Sequence, residues 1–141
     1  ALLHGTLRFY GQWLDEVSLL ILSFYIIKEV RWIRLKKMTS ELYLFPLIIP
    51  YFVLQKYFCY FFLVFSSLQI YTYKIARKDY KKSNKSEYYL IKGYSVVLIF
   101  STICWLLDQL FCEYVRVYQL HAVWHSGTAL SLLLGLYALI I

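Results

Sequence analysis

Five long apolar stretches run through the chain, at residues 12–27, 41–55, 57–73, 91–111 and 120–141, separated by more polar segments of differing length. About 20 apolar residues cross a bilayer as an α-helix, so the pattern predicts an all-α, polytopic transmembrane helix bundle. Only Lys56 and its neighbours separate the second stretch from the third. A single helix of their combined length would be far too long to span, which predicts a tight reversal near Lys56. Pro46 and Pro50 lie four apart and predict a kink along one face of the second span. No internal repeat is evident, and residues 1–141 are read as one transmembrane helical domain.

Composition strengthens this reading. The chain is 61% hydrophobic and 16% charged, whereas a soluble domain is about half apolar and about a quarter charged. Many of the fifteen Tyr and four Trp fall near the ends of apolar stretches, the depth that amphipathic rings favour. The formal net charge of +7 does not point to nucleic acid, because the basic residues gather between apolar segments. Lys28, Arg31, Arg34, Lys36 and Lys37 form one cluster; Lys74, Arg77, Lys78, Lys81, Lys82 and Lys85 form the other, and together they hold eleven of the fifteen basic residues. Such clusters suit anionic headgroups. By the positive-inside rule they mark the cytosolic side, which also places the C-terminus there. The sequon at Asn84 falls on that side and is expected to be unused. Cys59, Cys104 and Cys112 have no metal-ligand or redox spacing and read as buried thiols. The chain opens on Ala1 with no signal-peptide pattern and is read as a fragment lacking its N-terminal helices.

Candidate chemistry is confined to a few polar residues. His121 and His125 begin the fifth span four residues apart, which on a helix puts both imidazoles on one face about 6 Å apart along the axis. That spacing suits a shared metal, and polar groups at membrane depth are costly enough to need a purpose. His4, Asp15, His121 and His125 all fall toward the non-cytosolic end. His4 and Asp15 are eleven residues apart, about 16 Å on a straight helix. If both serve one site, the chain must reverse between them, and Gly5 and Gly11 bracket a stretch able to do so. Residues 1 to about 7 would then end a helix begun upstream, and Asp15 would begin the next. The alternative leaves His4 at the interface and pairs Asp15 with Arg8.

Three ordered motifs resemble those of the alkaline ceramidases. The run from His4 to Glu16 (HGTLRFYGQWLDE) looks like that family's FHxTL…QxLDE stretch. Trp105 to Glu113 (WLLDQLFCE) is similar to WxxDxxFCE, and Leu120 to His125 (LHAVWH) to HAxWH. The resemblance implies a seven-helix membrane hydrolase of the superfamily that includes adiponectin receptors, with this chain supplying five spans and the end of a truncated helix. It implies hydrolysis of the ceramide amide to sphingoid base and fatty acid, in endoplasmic reticulum or Golgi membranes. His4, His121 and His125 match three zinc-binding histidines, and Asp15 matches the aspartate that holds or deprotonates the attacking water. Three imidazoles leave a fourth position on Zn2+ open for chemistry. The family's serine falls just ahead of Ala1, and its acidic Ca2+ site also lies outside this chain. The connection from Cys112 to His121 is several residues tighter than the family's. Asp108 and Glu113 read as supporting or interhelical polar groups, and Trp124 as a packing residue.

Two other readings stay open. A GPI-remodelling phospholipase of the same superfamily would carry an Arg-Asp pair just after the first histidine, where this chain has Gly5, Thr6 and Leu7. A receptor or transporter on the same helices would show a polar pathway across the bilayer, whereas the polar residues here crowd one end.

Overall fold

Between Arg8 and Leu35 the buried residues Glu16, Leu20, Ser23, Phe24, Ile27 and Val30 lie along one face, three or four positions apart except for the adjacent Ser23 and Phe24. That period is the helical one, and in the computed structural model the whole stretch forms a single helix, α1 (Arg8–Leu35). The structure describes residues 8–54, 57–77 and 85–140, which are helical apart from short connections. They divide into two compact units, Ala1–Lys78 and Asp79–Ile141.

α1 corrects two expectations. Asp15 does not begin a helix but lies two turns inside one, because the helix is already formed at Arg8. Gly11, expected to help reverse the chain, is helical; an interior glycine costs a helix only about 1 kcal/mol, less than the buried stripe returns. Any reversal between His4 and Asp15 therefore falls before Arg8, outside the described residues. The helix also outruns its predicted end and carries Lys28, Arg31 and Arg34 as its last turns. It stops where Lys36 takes a left-handed backbone (φ 54°). There the Lys36 N–H bonds the Trp32 carbonyl at 3.1 Å and the Lys37 N–H that of Arg31 at 3.4 Å, satisfying carbonyls that a helix end leaves open. Lys28 Nζ bonds Glu41 Oε1 at 2.9 Å, and this bond raises the pKa of the Lys28 ammonium.

The remainder of the first unit is a 3-10 turn (Glu41–Tyr43) started by Ser40, α2 (Leu44–Leu54) and α3 (Phe58–Ala76). The break expected near Lys56 is present: α2 ends at Leu54, and the Tyr57 N–H returns to the Leu54 carbonyl at 2.8 Å. Pro50 lies inside α2, while Pro46 sits in its first turn, where a missing N–H removes no helical bond. Polar side chains tie the three helices. Tyr51 of α2 donates to Glu16 Oε2 at 2.7 Å, and Gln12 donates to Glu16 Oε1 at 2.7 Å. Gln69 of α3 donates to Ser23 Oγ at 3.0 Å, beside the stacked rings of Phe61 and Phe65. Of the cysteines, Cys104 is buried as expected, but Cys59 is exposed on the outer face of α3; an apolar stretch hides only the face that meets another helix.

The second unit is built on α4 (Lys85–Leu110) and α6 (Leu120–Ile140), joined by the four-residue α5 (Cys112–Val115) and a 3-10 turn (Arg116–Tyr118). Gln119, with φ 46°, turns the chain into α6. α4 buries Tyr94, Leu98, Ser101, Cys104, Trp105 and Asp108, and α6 buries Trp124, Thr128, Ser131 and Ala138. The helices are antiparallel: Gly93 meets Leu134, Tyr94 meets Gly135, Ser101 meets Gly127 and Trp105 meets Trp124. Among the described residues these two helices are long and apolar enough to cross a membrane. Their outward faces carry Ile99, Phe100, Leu133 and Ile140, all more than half exposed. The helices α1, α2, α3, α4 and α6 fall on the five predicted stretches, but of these α4 and α6 alone have the length and apolarity of a span, and α2 with its 3-10 turn is too short for one unaided.

Two outcomes follow from this packing. A Cβ on Gly127 would stand 1.9 Å from Ser101 Oγ and 3.1 Å from Ser101 Cβ. Overpacking costs about 1–3 kcal/mol against about 1 kcal/mol gained in helix propensity, so Gly127→Ala should lower the melting temperature in detergent, and adding Ser101→Ala should restore it. In the first unit, Tyr51→Phe leaves a buried carboxylate short of a donor. The expected loss is about 1–2 kcal/mol in an SDS-unfolding titration, the upper range for a bond between helices in a bilayer.

Candidate metal centre

His121 lies in the first turn of α6 and His125 one turn later, so the helix repeat places both rings on the same face. Their Nε2 atoms are 3.1 Å apart, with ring centroids at 4.7 Å and planes inclined by 74°. Two nitrogens at 2.0–2.1 Å from one tetrahedral ion would be about 3.3 Å apart, so the observed separation is close to that of two positions in such a site. The same separation suits an N–H···N bond, in which one imidazole donates to the other. In the bond the two nitrogens face each other, whereas in a metal site both would face a third point between them. Trp124, between the two in sequence, faces the other way: it is fully buried and packs on Trp105 with centroids 5.8 Å apart. This contact holds the first turn of α6 against α4, and the packing role expected of Trp124 is the one it fills.

The same register brings Asp108 of α4 to His121, with Oδ2 3.5 Å from Nδ1. Asp108 is buried, His121 half-buried and His125 exposed. The cluster therefore grades from apolar packing at Trp105 to open surface at His125. That gradient suits a centre that must hold an ion and admit a substrate. Glu113, the other acidic residue of that motif, is exposed on α5.

In the first unit, Asp15 is half-buried on α1, and its carbonyl accepts a bond from Ser18 Oγ at 2.8 Å. Its neighbour Glu16 is the buried member of the pair, held by Gln12 and Tyr51. His4 lies outside the described residues. Of the four expected site residues, then, His121 and His125 are brought together within one unit and Asp15 is positioned in the other.

Two residues matter more to this arrangement than the sequence reading allowed. Glu16 entered only as the last letter of a motif, with no role. Asp108 was read as a supporting or interhelical polar group without a named partner, and its spacing carries the same signal: with Ser101, Cys104 and Trp105 it completes an i, i+3, i+4, i+7 stripe, which puts it on the packed face of α4.

No curated protein and no solved structure matches the chain at a significant level. The family model described as Ceramidase matches residues 1–141, the whole length of the chain. The chain carrying this histidine pair and its buried aspartate belongs to the ceramidase family.

Proposed function

We propose that the protein is a zinc-dependent amidase that cleaves the N-acyl bond of ceramides within a membrane, releasing a sphingoid base and a fatty acid. Membership of the ceramidase family supports ceramide hydrolysis in general. The observation that carries the finer reading is the His121–His125 pair, whose Nε2 atoms, 3.1 Å apart, fit adjacent positions on one small ion. His121 and His125 would supply two ligands and His4 the third, the last on the resemblance of the HGTLRFYGQWLDE run. Bound there, Zn2+ would polarise the amide carbonyl and make water nucleophilic near neutral pH.

Asp15 is the general base of this reading. Its carboxylate takes a proton from the attacking water and delivers it to the departing amine, so hydroxyl ends on the acyl carbon and hydrogen on nitrogen. An aspartate two turns inside a helix suits this work better than one at a fraying end, because its backbone is held from both sides. The open side at His125 gives the substrate an approach, while Trp105 and Trp124 keep the inner side dry.

The protein is further read as an integral, multi-pass membrane protein of the endoplasmic reticulum or Golgi, with five spans in this chain. The long apolar faces of α4 and α6 support membrane embedding. The basic ends of α1 and α3 define the cytosolic side, and the C-terminus lies on it.

Full-length protein purified in detergent is expected to carry about one zinc ion per chain by elemental analysis, and His125→Ala to lose most of it. Asp15→Asn should keep the metal and lose about 10²–10⁴-fold in turnover of a fluorescent ceramide. Near wild-type hydrolysis by Asp15→Asn would remove Asp15 from the role of base.

A further inference from the structure

The two nitrogens of the His121 ring face different partners. Nε2 points at His125 Nε2, 3.1 Å away, and Nδ1 points at Asp108 Oδ2, 3.5 Å away. A neutral imidazole carries its proton on one nitrogen and its lone pair on the other, so whatever fixes the proton also fixes which nitrogen can bind a metal. Asp108 is the buried partner in this contact, with its side chain 11% exposed against 37% for that of His121. A carboxylate set into a packed helix face is costly unless a donor satisfies it.

We propose that Asp108 is the positioning residue for His121: it accepts the Nδ1 proton, which turns the Nε2 lone pair toward the point shared with His125. The inference rests on reading the histidine pair as a metal site, and adds to that reading the device that selects the tautomer. A ligand histidine commonly donates its second ring N–H to a carboxylate, which orients the ring and makes the bound nitrogen more basic. The 3.5 Å separation is longer than the 2.7–2.9 Å of a charge-assisted bond, so the full bond would require the His121 ring or the Asp108 carboxylate to shift by a few tenths of an ångström. Asp108 cannot drift from this task, because Trp105, one turn earlier on the same face, is locked against Trp124. His125 is the exposed member of the pair, so the two ligands are unequal: His121 is preset and His125 completes the site.

The test uses full-length protein in detergent with Asp108→Ala and Asp108→Asn. Zinc affinity is measured by chelator competition, and melting temperature is measured with and without zinc. A positioning role predicts that Asp108→Ala binds zinc about 10–100-fold more weakly, with Asn in between because its amide oxygen still accepts the Nδ1 proton. The rise in melting temperature produced by zinc should shrink in the same order, since ligand stabilisation follows affinity. A purely structural Asp108 would instead lower the metal-free and metal-loaded melting temperatures equally and leave affinity unchanged, which overturns the proposal. If Asp108→Ala does not fold, Asp108→Asn, nearly identical in shape, decides by the same affinity measurement. Wild-type protein that binds no zinc would overturn the metal reading itself, a result separate from unchanged affinity in the variants.

Discussion

The close approach of α4 and α6 is the constraint on which the second unit depends. For a pair placed in lipid, as proposed here, no hydrophobic force draws one apolar helix to another, so contact must come from dispersion at short range, and that requires small residues where backbones meet. Gly127 opposite Ser101 and Gly135 opposite Tyr94 supply them. Once those contacts are made, the antiparallel register is set along the whole pair. Trp105 must then meet Trp124, and one turn further Asp108 must meet His121. The meeting of Asp108 and His121 at one end of the pair is thus a consequence of the glycines nearer its middle. Moving the register by a single residue would rotate Asp108 away from His121 and break both contacts together.

The first unit solves the same problem with polar bonds. Tyr51 and Glu16 join α2 to α1, and Gln69 and Ser23 join α3 to α1. Bonds of this kind between helices in a bilayer average only about 0.6 kcal/mol, so their value lies as much in direction as in strength. Glu16 shows why direction matters. Adjacent side chains on a helix point about 100° apart, so tying Glu16 to Tyr51 sets the rotation of α1 and with it the bearing of Asp15. The two acidic residues differ in setting: the buried Glu16 anchors the helix, and the half-buried Asp15 is the one to which the proposed reading gives the role of base.

Much of this arrangement could be read before any coordinates. The i, i+4 spacing of His121 and His125 already implied a common face, and the structure places their nitrogens accordingly. The break between α2 and α3 followed from length alone. What could not be read depends on energies that a local pattern does not carry. Gly11 looked like a place to turn, but helix continuity on both sides outweighs a cost of about 1 kcal/mol. The first apolar stretch was expected to end at residue 27, but long cationic side chains extend from a helix end to water while their backbone stays helical, so α1 runs on to Leu35. Cys59 sits in an apolar run yet faces outward, because composition does not say which side of a helix is covered.

Asp108 is the sharper case. Its spacing put it on the buried stripe of α4, and nothing nearby in sequence said what it would meet, because its partner lies thirteen residues on, past α5 and a 3-10 turn. That partner is a histidine only because the α4–α6 register makes it so. The same logic bears on where catalysis can occur in a molecule of this kind. A ceramide amide lies where acyl chains give way to the polar head, so the group that attacks it must stand at the end of an apolar helix rather than halfway along. His121 and His125 occupy the first turns of α6, with a long run of aliphatic residues beyond them. On the proposed reading the helix matches the lipid it serves, polar where the scissile bond lies and apolar along the tails.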